Sequence, residues 1–166
     1  MMTTDMTAIV QALATLAINK KCVIATAESC TGGLIAAACT EISGSSAWFD
    51  RGFVTYSNNA KQQMLGVSDA TLQAHGAVSE ATVIAMAEGA VARSDANVAV
   101  SVSGVAGPTG GSAEKPVGTV WIGCAGDGFA STASHFIFAG DRQSVRQQTV
   151  ENSVRLLISC IDSVSC

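Results

Sequence analysis

Lys21-Cys22-Val23-Ile24-Ala25-Thr26-Ala27-Glu28-Ser29-Cys30-Thr31-Gly32-Gly33 is a short apolar run that ends in a serine and then in a pair of glycines. Residues 22–26 read as a buried strand. Beyond the glycines, Leu34, Ile35, Ala38, Cys39 and Ile42 mark one stripe of a helix that ends before Gly44. Strand, tight turn and helix in this order form the repeating unit of an α/β sheet, and ligands gather beyond the carboxyl ends of its parallel strands. The glycines let backbone N–H groups approach a ligand closely, and the start of the helix favours negative charge there.

The flanking chain extends the same unit. Ile9, Leu13 and Leu16 recur at helical spacing behind Thr4 and Asp5, which can open a helix that covers one face of the sheet. Residues 48–56 return as a strand. Ser57 then N-caps a helix that carries Lys61 towards Gly66, and Ser68 and Ser79 cap two more, the second with Val83, Ile84, Ala87 and Val91 on its apolar face. Residues 97–102 are small and β-branched, as in a strand buried on both faces, and run into the loop Ser103-Gly104-Val105-Ala106-Gly107-Pro108-Thr109-Gly110-Gly111. Residues 118–125 and 130–138, joined through Gly126-Asp127-Gly128, predict an antiparallel hairpin, and a helix runs from Arg142 to Ile161. No repeat or linker divides residues 1–166, which read as one domain. The expected fold class is α/β, a three-layer α/β/α sandwich around a mixed, mostly parallel sheet of about five strands.

Composition narrows the function classes. With 48% hydrophobic and 13% charged residues in 166, the chain has material for a compact core. A net charge of −4 offers no basic footprint for a nucleic-acid backbone, so any phosphate recognition is local and the expected partner is a small molecule. The six cysteines include no Cys-x-x-Cys pair and the two histidines stand alone, so zinc-ligand spacing is absent and no metal is expected. Cys22, Cys39, Cys124 and Cys160 lie among apolar residues and read as buried small hydrophobes of a reduced, cytoplasmic protein. The first residues lack the basic segment of an export signal, and no apolar run is long enough to cross a bilayer.

Ser29 is the first candidate for chemistry, and it needs a base. His75 falls in a connection between helices and His135 in an antiparallel strand, neither with a carboxylate at a suggestive spacing, so a Ser-His-Asp triad is not expected. Lys61, about one turn inside a helix start, is the better base, because the helix dipole and partial burial both favour the neutral amine. The spacing equally fits a helix-capping serine, with Thr31 sharing that task, and a solvated lysine. Cys30 lacks a histidine partner and ranks below Ser29 as a nucleophile. Free N–H groups between Cys30 and Gly33 could hold an oxyanion, or the glycines could serve only tight packing. Tyr56 could orient Lys61 or a ligand, or lie at a strand end with its hydroxyl in water. Arg142 and Arg146 could clamp an anion at the start of the last helix, or be surface arginines balanced by Asp141. The loop containing Gly104 and Gly107 lacks both the P-loop and the dinucleotide glycine patterns and reads as a tight wall, while Lys115 reads as an exposed loop lysine. The Tyr56 to Lys61 spacing is one residue too long for the short-chain dehydrogenase pair.

Several stretches taken together resemble one family. Ala27-Glu28-Ser29-Cys30-Thr31-Gly32-Gly33, Gly44-Ser45-Ser46-Ala47-Trp48-Phe49, Gly52-Phe53-Val54-Thr55-Tyr56-Ser57-Asn58 through Lys61, Gly104-Val105-Ala106-Gly107-Pro108, Lys115-Pro116-Val117-Gly118-Thr119-Val120 and Gly140-Asp141-Arg142 closely resemble the CinA C-terminal domain family, in order and across essentially the whole chain. The chain looks like a stand-alone form, without the molybdopterin-binding-like domain that precedes it in longer members. The resemblance implies hydrolysis of the carboxamide of nicotinamide mononucleotide to nicotinate mononucleotide and ammonia, with no cofactor. It implies Ser29 as nucleophile, Lys61 as base, Tyr56 as helper and the turn at Gly32 and Gly33 as oxyanion site. Arg142 as phosphate ligand is consistent with the family's Gly-Asp-Arg pattern, and self-association is common in such families. Two other readings remain: a binding module of the same fold without catalysis, and an amidohydrolase for a different carboxamide.

Overall fold

The computed structural model describes residues 2–164, so Cys166 lies outside the described residues. The elements are α1 (Thr4–Lys20), β1 (Ile24–Glu28), α2 (Leu34–Thr40), a 3-10 turn (Ser45–Ala47), β2 (Phe49–Val54), α3 (Asn58–Leu65), α4 (Asp69–His75), α5 (Glu80–Ala92), β3 (Val98–Gly104), β4 (Thr119–Gly126), β5 (Thr132–Ile137) and α6 (Arg142–Ser163). They form a five-stranded sheet in the order β2-β1-β3-β4-β5. β1 is parallel to β2 and to β3, whereas β4 is antiparallel to β3 and to β5. Only β4 runs against the rest, because it follows β3 through a non-helical loop and returns to β5 through a short turn, and neither connection is a crossover helix.

Helices cover both faces. On one side α1, α2 and α6 pack together, and Leu13, Ile35, Val154, Leu157 and Ile161 meet Ile24, Val98, Val100, Val102, Ile122 and Cys124 of the strands. Each fully buried Leu, Ile or Val there contributes about 1.5–3 kcal/mol by leaving water. On the other side α3, α4 and α5 face strand residues that are small: Ala25, Ala27, Ala99, Ser101 and Gly123. Their size lets α5 lie close. The Ser101 hydroxyl donates to the Val83 carbonyl of α5, and a Cβ on Gly123 would sit 2.7 Å from that same oxygen.

The helix starts follow local chemistry. Ser57, Ser68, Ser79 and Asp141 accept from the N–H groups of Ala60, Thr71, Thr82 and Ser144, three residues ahead in each case. Gly66 ends α3 at φ 69°, a left-handed value that glycine takes without strain. α1 opens at Thr4 and Asp5 as expected, with Thr3 as its cap, whose hydroxyl accepts from Met6 N–H at 3.2 Å. Several boundaries differ from the sequence expectation by one or two residues. β1 starts at Ile24, two residues later than the apolar run suggests, and extends to Glu28. β2 ends at Val54, since after Thr55 the chain turns to bring Ser57 into its capping position.

Candidate active site

β1 and β2 run parallel and release their chains side by side. Ser29 N–H still pairs with the Val102 carbonyl of β3 at 3.1 Å, and Thr55 N–H pairs with the Glu28 carbonyl at 2.8 Å. Ser29 is then the first residue of a turn closed by Gly32 N–H on the Ser29 carbonyl at 3.0 Å. From the other side, the Ser57 cap sets the rotation of α3 so that Lys61 points inward, with only 1% of its surface exposed. Its Nζ lies 3.0 Å from Ser29 Oγ and donates to the Thr55 carbonyl at 2.8 Å. Burial pushes this amine below its ordinary value, a shift that the neighbouring Cys30 opposes weakly. A buried amine in contact with a hydroxyl is the arrangement by which a lysine deprotonates a serine.

The turn itself is held by a residue to which the sequence analysis gave no role. Glu28 is fully buried at the end of β1, and its carboxylate accepts four hydrogen bonds. Oε1 takes Thr31 Oγ1 at 2.7 Å and Ile35 N–H at 2.9 Å; Oε2 takes Ala36 N–H at 3.0 Å and Thr26 Oγ1 at 3.2 Å. Glu28 therefore caps α2 from the preceding strand, and neither Ser29 nor Thr31 does so. The capping alternative for Ser29 is removed, and Thr31 acts as a brace for the carboxylate. The signal available in the sequence was a lone carboxylate in a run otherwise free of charge from Cys22 onward.

Ser29, Cys30, Tyr56, Asn58, Lys61 and Arg142 line one open cleft of about 260 Å³, together with Ala77, Val78, Ser103, Gly104 and Ala106. The two arginines of α6 have different roles. Arg142 donates to the Gly107 carbonyl at 2.9 Å and to the Tyr56 hydroxyl at 3.1 Å, which leaves it on the rim of the cleft. Arg146 turns back and donates to the carbonyls of Cys30 and Thr31, each at 3.1 Å, so it ties α6 to the serine turn and is not an unattached surface residue. Tyr56 is 61% exposed and meets Arg142 rather than Lys61.

Cys30 is buried beside Ser29, and burial pushes its thiol up to about 11, so at neutral pH it is protonated. Thr31, Gly32 and Gly33 do not line the cleft, and Gly32 N–H is already engaged. Gly107 stands behind Arg142 as its acceptor. Lys115 donates to the His75 carbonyl at 3.2 Å, at the end of α4. Asn58 and Val78 are cleft residues that the sequence analysis did not single out; Asn58 follows the Ser57 cap directly, which was the available signal.

Residues 6–161 match the sequence profile of the CinA C-terminal domain. The chain belongs to the CinA C-terminal domain family. Among members of the CinA C-terminal domain family, it is 64% identical over 130 residues to the nicotinamide-nucleotide amidohydrolase PncC of Enterobacter agglomerans, covering 78% of this chain and 79% of that one. It is 54% identical over 134 residues to the protein of the same name from Escherichia coli K12, covering 81% of each. The crystal structure of the competence/damage inducible protein CihA from Agrobacterium tumefaciens superposes with a TM-score of 0.95 at 44% identity, over 98% of this chain and 99% of that one. The five-stranded α/β sheet is thus the fold of the CinA C-terminal domain family.

Proposed function

We propose that this chain hydrolyses the carboxamide of nicotinamide mononucleotide to nicotinate mononucleotide and ammonia, with Ser29 as nucleophile and Lys61 as its base. The observation that carries the reading is the 3.0 Å contact between a buried amine, bonded otherwise to the Thr55 carbonyl, and a serine hydroxyl that lines the cleft. In the first half-reaction Lys61 takes the Ser29 proton as Oγ bonds to the amide carbon. The carbonyl electron pair moves onto oxygen and returns as the C–N bond breaks, and Lys61 passes its proton to the departing nitrogen, giving ammonia. Water then cleaves the acyl-enzyme with Lys61 again as base, which restores Ser29. In this reading Arg142, with its guanidinium held by Gly107 and Tyr56, binds the 5′-phosphate. The PncC relatives, whose name states this activity, support the same substrate.

Ammonia release from the mononucleotide and from the corresponding riboside tests both parts. Ser29→Ala should lower turnover on the order of 10⁴-fold or more while the fold is kept. Arg142→Met should raise KM for the mononucleotide about 10- to 100-fold and leave the riboside unaffected. Parental turnover by Ser29→Ala would overturn the mechanism, and equal use of both substrates by the parent would remove the phosphate role of Arg142.

A further inference from the structure

The acyl-transfer reading needs a donor for the oxyanion, and the sheet register supplies one outside the serine turn. Val105 N–H donates to the Thr119 carbonyl at 2.8 Å, and residues 103 and 105 face β4 through their peptide groups. On the opposite edge of β3, the Val102 carbonyl accepts from Ser29 N–H at 3.1 Å. Peptide groups alternate sides along a strand, so Gly104, two residues beyond Val102, turns its N–H towards β1. Had β1 continued, that N–H would pair with the Ser29 carbonyl. The carbonyl instead accepts from Gly32 N–H, because the chain leaves the sheet at this point. Gly104 thus presents a backbone donor at the place where β1 departs, in the wall of the cleft that holds Ser29 and Lys61. Its other side is closed: a Cβ would meet Val120 Cγ2 at 2.6 Å and the Thr119 carbonyl oxygen at 2.8 Å, so glycine keeps the strand end seated against β4.

We propose that the backbone N–H of Gly104 hydrogen-bonds the carbonyl oxygen of the substrate amide and the oxyanion that forms from it. This rests on the Ser29 nucleophile described above. As the Oγ–C bond forms and the carbonyl pair moves onto oxygen, a fixed N–H already pointing there costs no reorganisation.

The first test leaves the chain unaltered. Protein labelled with 15N-glycine is treated with an alkyl fluorophosphonate: Ser29 Oγ bonds to phosphorus, fluoride leaves, and the serine proton passes to Lys61. The phosphoryl oxygen then stands where the oxyanion would be. The amide proton of Gly104 should move downfield more than those of Gly32 and Gly33; a Gly104 signal that stays in place in the adduct overturns the proposal. Phosphonylation of Ser29 with no turnover of nicotinamide mononucleotide would discard that substrate and leave the Gly104 result standing, whereas failure of Ser29 to react would end both readings. The second test replaces the peptide bond between Ser103 and Gly104 by an ester, which removes the N–H and leaves every side chain in place. With thermal unfolding retained, kcat should fall about 10²- to 10³-fold with little change in KM. A kcat within about twofold of the parent would again overturn it.

Discussion

Lys61 carries a cost that its neighbours do not remove. Its amine has two oxygen partners, Ser29 Oγ and the Thr55 carbonyl, and no carboxylate among them, so the folded state disfavours the charged form. The unfolded chain holds this proton up to the ordinary value of 10.5, and the folded chain releases it earlier. Between those two values the unfolded state binds more protons, so stability rises with pH across that window, and below it the penalty is present in full. Activity should follow the neutral amine. The plot of kcat/KM against pH should rise along a limb whose midpoint lies below 10.5. Lys61→Met should lose that limb together with turnover, and should unfold later than the parent at neutral pH by an amount that shrinks as pH rises. A parental midpoint at or above the ordinary lysine value would contradict the assignment. The candidacy of Ser29 and Lys61 was legible in the sequence from a hydroxyl in a glycine turn and a lysine behind a capping serine. Their contact was not, because it depends on two parallel strands ending at the same level.

At the scale of the element, the start of α2 shows where local reading stops. Ser57, Ser68 and Ser79 were readable as caps because each reaches an N–H three residues ahead. α2 is capped by Glu28, seven and eight residues before the N–H groups it accepts, from the preceding strand, and no local window contains that pairing. The same holds for Arg146, whose partners at Cys30 and Thr31 lie far back in the chain. Glu28→Gln would place an amide NH2 against backbone donors and leave at least one of them unsatisfied. The expected loss is about 1–3 kcal/mol in urea unfolding. Because Ser29 follows Glu28 directly, kcat should fall more than KM rises. Unchanged stability in the glutamine variant would show that the carboxylate is not what holds this helix start.

Across the whole molecule, the class of fold followed from the alternation of apolar strands and striped helices, and the direction of β4 from its two connections. The order β2-β1-β3-β4-β5 was not written in any local pattern, since it depends on which strands find each other after the helices have packed. The cleft is a product of that order: it borrows walls from the turn after β1 and from β3, α3 and α6, which are distant in sequence. A ligand that fills it should therefore stabilise the entire fold. In the Ser29→Ala protein, nicotinamide mononucleotide at 100 times its Kd should add about 2.7 kcal/mol to the unfolding free energy. Absence of any shift in Tm at saturating concentrations would place the nucleotide elsewhere.

The sheet also divides the molecule into two halves that fail in opposite ways. Behind β1 and β3, towards α1 and α6, the strands contribute Ile24, Val98, Val100 and Val102, and trimming any of them leaves a hole. Towards α5 they contribute Ala25, Ala27, Ala99 and Ser101, with Gly123 alongside, and there an added methyl has nowhere to go. α5 follows Ala77 and Val78, which line the cleft, with only its cap Ser79 between. The breadth of the cleft is therefore gauged by methyl groups that do not line it.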